Sequence, residues 1–174
     1  MDDIPVRRVA PHEAHACIEG LADVLVDCVE GGASIGFMLP IARETALAFW
    51  RRVADAVQRG DRVLLVAQRA DGRIVGTVQL ILDLPENQPH RADLVKMQVH
   101  RSVRGRGVAQ RLLEAAEREA VREGRRVLVL DAVTGGDAWR LYQRCGWQRV
   151  GDVPDYALMP DGPPCSTTFF YKHL

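Results

Sequence analysis

The residues of this 174-residue chain that are best suited to hold an anion lie between positions 100 and 113. Four arginines surround Gly105 and Gly107 there, and the segment continues without a break into a leucine-rich helix. The start of a helix presents free backbone N–H groups and the positive end of the helix dipole. Because glycine lets the backbone approach a ligand closely, the pattern predicts a phosphate-binding turn.

Three kinds of phosphate ligand could occupy such a turn, and two of them fit poorly. In a dinucleotide-binding Rossmann turn the first glycine follows its strand at once, whereas residues 100–104 separate Val99 from Gly105 here, and Gln110 takes the third glycine position. A nucleic-acid surface needs excess positive charge and interleaved aromatic rings, but the chain balances 23 Lys and Arg against 23 Asp and Glu. We therefore expect a pyrophosphate, held by the turn at 104–109.

The elements that position this turn follow from the spacing of apolar residues. Apolar steps of three and four predict helices, whereas alternating or wholly apolar runs predict strands. The helices cover residues 14–28, 41–59, 108–123 and part of 135–147. The strands cover residues 6–10, 62–69, 74–82, 92–99, 126–133, 148–153 and 167–174, with a proline-rich loop at 154–166. The resulting order, β-α-α-β-β-β-α-β-α-β-β, favours a mixed sheet with helices on both faces and one domain over residues 1–174.

The turn and the order of elements together resemble the GNAT superfamily of N-acetyltransferases. The family's acyl-CoA motif, R-x-x-G-x-G/A between a strand and a helix, is similar to the segment from Arg104 to Ala109. Its "LYxxxGF" is similar to "LYQRCGW" at 141–147, and the resemblance covers most of the chain. It implies an α/β GNAT fold, with a mostly antiparallel sheet and one parallel central pair.

The resemblance also implies acetyl-CoA as the co-substrate. The residues that it assigns to the pyrophosphate are Arg104, Gly105, Arg106, Gly107, Val108 and Ala109. The strand before them is expected to offer backbone groups to the pantetheine arm and the thioester carbonyl, from Met97, Gln98 and Val99. Arg101 and Arg111 fall outside the turn and are expected to be solvated.

Acetyl transfer to an amine needs a base for the ammonium proton, and two aspartates are candidates. Asp93 shares a predicted strand face with Val95, Met97 and Val99, so it acts as a base, directly or through water, or forms an ion pair with Arg91. Asp131 ends the apolar run "VLVL" at the carboxyl edge of a strand. It could act as the base, anchor the ammonium group or cap the turn that follows.

The reaction also needs an acid for the departing thiolate, and Tyr142 is the candidate. The resemblance places it in the position of the superfamily's acidic tyrosine, and a phenol can protonate a thiolate. The alternative is an aromatic core residue beside Trp139 and Trp147.

The acceptor amine is expected between two connections of the chain. In the superfamily the segment between the first two helices borders the acceptor pocket, and here it offers Phe37 and Met38 as an apolar wall and Ser34 as a hydrogen-bonding group. The same segment could instead be only an ordered connection between helices. The late loop at 154–164 is the other candidate wall, through Asp155, Tyr156 and Asp161.

The remaining features bear on partners and location. The four cysteines are widely spaced without a C-x-x-C pair, and we expect Cys17 and Cys28 to fill the core. The five histidines lack a nearby set of acidic or cysteine ligands, so no metal is expected. The acidic start Met1-Asp2-Asp3 and the lack of a long apolar run predict a cytoplasmic protein without a secretory signal or membrane segment. Exposed edges of the closing strands would allow a homodimer.

The sequence thus predicts an acetyl-CoA-dependent N-acetyltransferase that acts on the amino group of a small molecule, with a toxin or an antibiotic among the acceptors considered. A protein or peptide N-acetyltransferase and a non-catalytic acyl-CoA-binding regulatory domain are the alternatives. No nucleic acid or membrane is expected as a partner.

Overall fold

A computed structural model describes residues 4–174, and the acidic start Met1-Asp2-Asp3, with its prediction about a secretory signal, lies outside them. The strands are β1 (Val6–Arg8), β2 (Arg62–Gln68), β3 (Ile74–Ile81), β4 (Arg91–Val99), β5 (Val127–Val133), β6 (Gln148–Leu158) and β7 (Pro164–His173). The helices are α1 (Ile18–Glu30), α2 (Arg43–Arg59), α3 (Val108–Arg122) and α4 (Asp137–Arg144). Two 3-10 helices, Pro11–Cys17 and Arg101–Val103, precede α1 and follow β4.

All seven strands belong to one sheet, in the order β1-β2-β3-β4-β5-β7-β6. Only β4 and β5 run parallel among these neighbours, and the other pairs are antiparallel. The predicted element order and the mixed, mostly antiparallel sheet are therefore confirmed. The parallel pair lies near the middle, where the chain crosses from β4 through α3 to β5.

Helices cover both faces of this sheet. Apolar residues of α1 and α2 pack on one face around Trp50, which is fully buried, and Gly60 ends α2 in the left-handed conformation that a glycine accepts without strain. Apolar residues of α3 and α4 pack on the other face around Leu112 and Phe170. Cys17 and Cys28 are buried in the first cluster, as expected. None of the helices in residues 4–174 is long and apolar enough to cross a bilayer.

The parallel pair opens into a wedge. The pairing of β4 with β5 is confined to residues 91–93 and 127–129, after which the two strands diverge. A β-bulge follows at once on the other side of β4, because Val95 pairs with Gln79 and Gln98 with Thr77, which leaves Lys96 and Met97 opposite a single residue. The wedge and the bulge thus lie side by side at the middle of the sheet.

The bulge overturns the predicted alternation along β4. Met97 and Val99 pack with Ala92 and Leu94 on the side of α3, whereas Asp93 points to the face covered by α1 and α2. The prediction that Asp93 shares a face with Met97 and Val99 is therefore wrong. A single extra residue in one strand reverses every later side chain.

The predicted loop at 154–166 is also largely wrong. Asp155 and Tyr156 lie on β6, which continues to Leu158, and only a short turn containing Asp161 separates it from β7. Pro154 is tolerated because β6 is the edge strand and its pairing with β7 breaks between Val153 and Ala157. Proline lacks the N–H that a regular inner strand needs, so the sequence favours a loop there.

Candidate active site

The glycine-rich turn forms a cradle at the start of α3. Gly107 is the N-cap of that helix with a φ of 72°, and Gly105 has a φ of 75°. A side chain in either place would be strained, and a Cβ on Gly107 would lie 3.4 Å from Nη1 of Arg111. The backbone N–H groups at the start of α3 have no partner within the helix, so the turn can offer them to an anion.

Three of the four arginines around the turn, Arg101, Arg104 and Arg111, form hydrogen bonds to the protein. Arg104 Nε donates to the carbonyl oxygen of Val99 at 3.1 Å, and Arg111 Nη1 donates to that of Arg106 at 3.1 Å. Arg101 Nε donates to Asp27 Oδ1 at 2.9 Å. The expectation that Arg101 and Arg111 are merely solvated is therefore wrong.

Asp27 on α1 anchors the approach to the cradle. Its Oδ2 accepts the backbone N–H of Arg101 at 2.8 Å, in addition to the contact with the Arg101 side chain. Burial acts to raise the pKa of Asp27, but the hydrogen bonds from Arg101 outweigh it and the pKa lies below its usual value. A charged carboxylate at this place ties the segment after β4 to α1.

The second half of β4 borders the wedge, and this is where the predicted pantetheine groups lie. The carbonyl oxygen of Val99 accepts from Arg104 and from Cys28 Sγ, at 3.5 Å from the sulfur. The side chain of Gln98 is buried, and neither its Oε1 nor its Nε2 bonds to any residue within 4–174. At the wedge, the backbone of β4 therefore lies next to the side-chain amide of Gln98, which has no hydrogen-bond partner within residues 4–174.

Asp131 lies on the divergent part of β5, on the same sheet face as Asp93. Its side chain is open to solvent on one side, yet desolvation by the surrounding protein raises its pKa. The nearby ammonium of Lys96 partly offsets this shift, and the Asp93 carboxylate adds to it. A carboxylate with a raised pKa is better matched to proton abstraction near neutral pH.

Asp93 is held differently. Its carboxylate forms a short ion pair with Nη1 of Arg91, and the same guanidinium bonds Gln88 Oε1 through Nε at 2.9 Å and Nη2 at 2.7 Å. The ion pair that the sequence left as an alternative is thus present. The ion pair uses only Oδ1 of Asp93, so it does not by itself exclude Asp93, and the raised pKa of Asp131 is what makes Asp131 the favoured base.

Tyr142 lies on α4 across the wedge. It is 3% exposed, and its ring packs against Trp147 and Phe170 with centroid distances of 5.8 and 6.0 Å. Burial raises the pKa of its hydroxyl, and the negative charge of Asp131 raises it further. The phenol therefore stays protonated across the neutral range, as a proton donor must.

A closed rim bounds the open face of the wedge. The connection between α1 and α2 (residues 31–42) reaches the β6–β7 turn through Ser34 Oγ, which donates to the Leu158 carbonyl at 2.8 Å. The N–H of Leu39 donates to the Pro160 carbonyl at 2.9 Å. The hydroxyl proton of Ser34 is thus used within the protein, which leaves only its oxygen lone pairs for a substrate.

Aromatic rings line two sides of this rim. Phe37 packs edge-on against Phe49 of α2 at 5.4 Å, and Met38 beside it is 46% exposed. On the far side Tyr156 packs edge-on against Phe169 at 5.6 Å, and Phe169 pairs directly with Asp131. The backbone at Asp155 has a φ of 49°, rare for a residue other than glycine, where β6 breaks its pairing.

Sequence reasoning missed Phe49, Phe169 and Lys96 at this site. Lys96 donates from Nζ to the Ile35 carbonyl at 2.8 Å, and its Nζ lies 5.9 Å from the Phe49 ring centroid. A lysine between Val95 and Met97 in an alternating strand is the one available signal. Within residues 4–174, no three His, Cys, Asp or Glu side chains lie close enough to share a metal ion.

Comparison with known proteins shows to which family this chain belongs. The model of the acetyltransferase (GNAT) family matches residues 35–147. An uncharacterized N-acetyltransferase from the hisH-hisA intergenic region of Azospirillum brasilense is 35% identical over 133 residues, covering 75% of this chain and 76% of that protein. The chain belongs to the GNAT family of acetyltransferases.

Solved structures agree on the fold. A putative acetyltransferase from Acinetobacter baylyi matches with a TM-score of 0.80 at 15% identity, over 100% of this chain and 94% of that one. A putative acetyltransferase from Salmonella typhimurium, solved with its cofactor acetyl-CoA, matches with a TM-score of 0.77 at 20% identity, over 99% and 94%. The mixed sheet with one parallel pair is thus the fold of this family.

Proposed function

We propose that this protein transfers an acetyl group from acetyl-CoA to the amino group of a small molecule. One arrangement supports the proposal: the cradle follows β4, β4 and β5 diverge at the wedge, Asp131 lies on the divergent part of β5, and Tyr142 on α4 is close enough for the charge of Asp131 to affect its pKa. Because Gly105 and Gly107 carry no side chains, a pyrophosphate can come close to the backbone at the start of α3. The carbonyl of Arg106 and the N–H of Gly107 belong to the same trans peptide group and so point in opposite directions. Since the carbonyl faces Arg111, the N–H of Gly107 points away from that guanidinium.

The chemistry assigns one role to each group. Asp131 takes a proton from the acceptor ammonium, and the neutral nitrogen then attacks the thioester carbonyl carbon. A backbone N–H of β4 in the wedge, from Met97, Gln98 or Val99, stabilises the oxyanion. The C–S bond breaks as the amide forms, and Tyr142 gives its proton to the leaving thiolate. The nitrogen loses two protons between ammonium and amide: the first goes to Asp131, and the second, lost as the tetrahedral intermediate collapses, replaces the proton that Tyr142 gives to the thiolate, so that CoA leaves as its thiol and one proton is released overall.

The closed rim supports a small acceptor. Ser34 and Leu39 join the connection between α1 and α2 to the β6–β7 turn, and such a bridge across the site favours a small acceptor over a polypeptide that would have to lie across it. The end of a peptide chain can enter as well, so N-terminal acetylation is the second candidate. Several segments of the sequence, such as "RADLVKM" and "VPDYALMPDG", resemble the tabtoxin-resistance acetyltransferase. Because of this resemblance, toxin-like and antibiotic-like amines are included among the acceptors to be tested.

A thiol-release assay across amine acceptors tests the proposal. The panel includes amino acids, polyamines, aminoglycosides, β-lactam dipeptide analogues and short peptides with a free N-terminus. Turnover with at least one small amine, and faster than with any peptide, is the expected result. Release with peptides alone would favour the second candidate. Tight acetyl-CoA binding without thiol release from the whole panel would favour a non-catalytic binding domain.

A further inference from the structure

Lys96 owes its place in the site to the β-bulge. Leu94 faces α3, so a regular strand would turn Lys96 toward α3 as well, into an apolar core. The bulge reverses this direction, and the backbone at Lys96 takes a φ of 54°, uncommon for any residue but glycine. A strained backbone that delivers a charged side chain to a substrate opening points to a role in function.

The ammonium of Lys96 holds the connection between α1 and α2. Its Nζ donates to the Ile35 carbonyl at 2.8 Å and lies 5.9 Å from the Phe49 ring centroid. The neighbouring Gly36 has a φ of 91°, and a Cβ built there would lie 3.4 Å from Nζ. The connection therefore comes close to the sheet at the place where glycine permits it. Ser34 and Phe37, on either side, form part of the rim.

The charges around Lys96 form a balanced set. Asp131 on β5 attracts its ammonium, whereas Arg62 on β2 repels it. Arg62 is itself bound to Gln79 Oε1 at 2.7 Å. Asp93 faces the same region but is paired with Arg91, and Tyr142 approaches Asp131 from α4. Lys96 is therefore the cation that most directly compensates Asp131.

We infer that Lys96 is a positioning residue for the acceptor amine, which holds the rim at Ile35 and sets its positive charge beside Asp131. The inference rests on the proposed function, because it assigns Asp131 to the amine. The cation opposes the rise in the pKa of Asp131 and so favours the carboxylate form that receives the acceptor ammonium, while the hydrogen bond to Ile35 fixes the wall against which the acceptor lies. The ammonium of Lys96 contacts the connection between α1 and α2 rather than the cradle at the start of α3, so acetyl-CoA binding is expected not to depend on it.

Replacing Lys96 by methionine and by arginine tests this role. Lys96→Met is expected to raise KM for the amine about tenfold, because losing the hydrogen bond to the Ile35 carbonyl loosens the wall against which the acceptor lies, and to leave KM for acetyl-CoA unchanged. The acid limb of kcat/KM for the amine should move to higher pH, because Asp131 loses the cation that opposes its raised pKa. Lys96→Arg should recover most of both properties. Lys172→Met, which removes a lysine bound to Glu117 at 2.8 Å, is the matched control and should change neither.

Two measurements that need no turnover accompany the kinetics. Carboxyl NMR should show a higher titration midpoint for Asp131 in Lys96→Met than in the parent protein. Amide exchange should be faster at residues 33–38 in Lys96→Met and normal in Lys96→Arg. An unchanged Asp131 midpoint together with normal exchange in Lys96→Met would overturn the inference. If the parent protein acetylates no amine while both shifts occur, the proposed function fails and the assignment of Lys96 to the amine fails with it, and only the coupling of Lys96 to Asp131 and to the rim is supported.

Discussion

The guanidinium of Arg111 on α3 donates a hydrogen bond to the carbonyl oxygen of Arg106, 3.1 Å away. A side chain in the first turn of the helix thereby fixes the peptide group that precedes that helix. We expect Arg111→Ala to weaken acetyl-CoA binding about tenfold, because the freed carbonyl can rotate and the turn loses its shape. Calorimetric titration with acetyl-CoA measures the effect. Arg118→Ala, an exposed arginine on the same helix, is the control, and equal affinities in the two variants would contradict the prediction.

Gly107 is expected to be the residue on which acetyl-CoA binding depends most. Gly107→Val should abolish detectable binding, because a branched side chain at a φ of 72° is strained and fills the cradle. Gly124→Val is the matched control, since Gly124 ends the same helix with a φ of 72°. Both variants should lose about 1–2 kcal/mol of stability from the strained backbone, but only the first should lose the ligand. Binding that survives in Gly107→Val would rule out the cradle.

Tyr142 is expected to act on the chemical step alone. Tyr142→Phe should lower kcat by about a hundredfold while acetyl-CoA still binds, because the ring that packs on Trp147 and Phe170 is kept. Tyr171→Phe on β7 removes a phenol without removing the proposed acid and should keep its kcat. Near-normal turnover in Tyr142→Phe would remove Tyr142 from the mechanism.

The two aspartates can be separated by the pH dependence of the reaction. Desolvation raises the pKa of Asp131, Lys96 opposes that shift, and Asp93 adds to it. As the pH falls through this raised pKa, Asp131 takes up a proton and kcat/KM for the amine should fall. The acid limb should therefore lie at higher pH than an ordinary aspartate would give.

Asp131→Asn should lower kcat/KM and flatten this limb, whereas Asp93→Asn should leave its midpoint close to that of the parent, slightly lower because one negative charge near Asp131 is gone. Initial rates at limiting amine, from acid to neutral pH, measure both midpoints. A limb that disappears in Asp93→Asn instead would assign the base to Asp93.

The phosphate turn and the helix behind it could be predicted because both depend on local residues. The φ angles at Gly105 and Gly107 are needed whatever packs around them, and the apolar row of α3 is visible in the sequence. The role of Arg101 could not be predicted, because its partner Asp27 is 74 residues away in the sequence. The partner of Arg111 is local, but the direction of the Arg106 carbonyl is set by the conformation of the turn and is not visible in the sequence.

The bulge at Lys96 illustrates the same limit within a strand. The residues "VKMQV" alternate regularly between apolar and polar side chains. This pattern does not indicate that Lys96 and Met97 will lie opposite a single residue of β3. The bulge depends on the pairing of β4 with β3 and on its separation from β5, which are both long-range relationships. The prediction for Asp93 failed for this reason, and Lys96 was overlooked for the same one. At Pro154 the sequence instead predicts a loop where the structure has a strand, because an edge strand can contain a proline whereas an inner strand needs the N–H that proline lacks.

The rim is joined through main-chain oxygens. Ser34 and Leu39 bind the carbonyl groups of Leu158 and Pro160, and Lys96 binds that of Ile35, so none of the three contacts depends on the side chain of the residue that accepts it. Side chains along the β6–β7 turn can therefore be exchanged while the opening keeps its frame. A lineage of such proteins could acquire a new acceptor by substitution at the rim, without rebuilding the cradle that holds the acetyl donor.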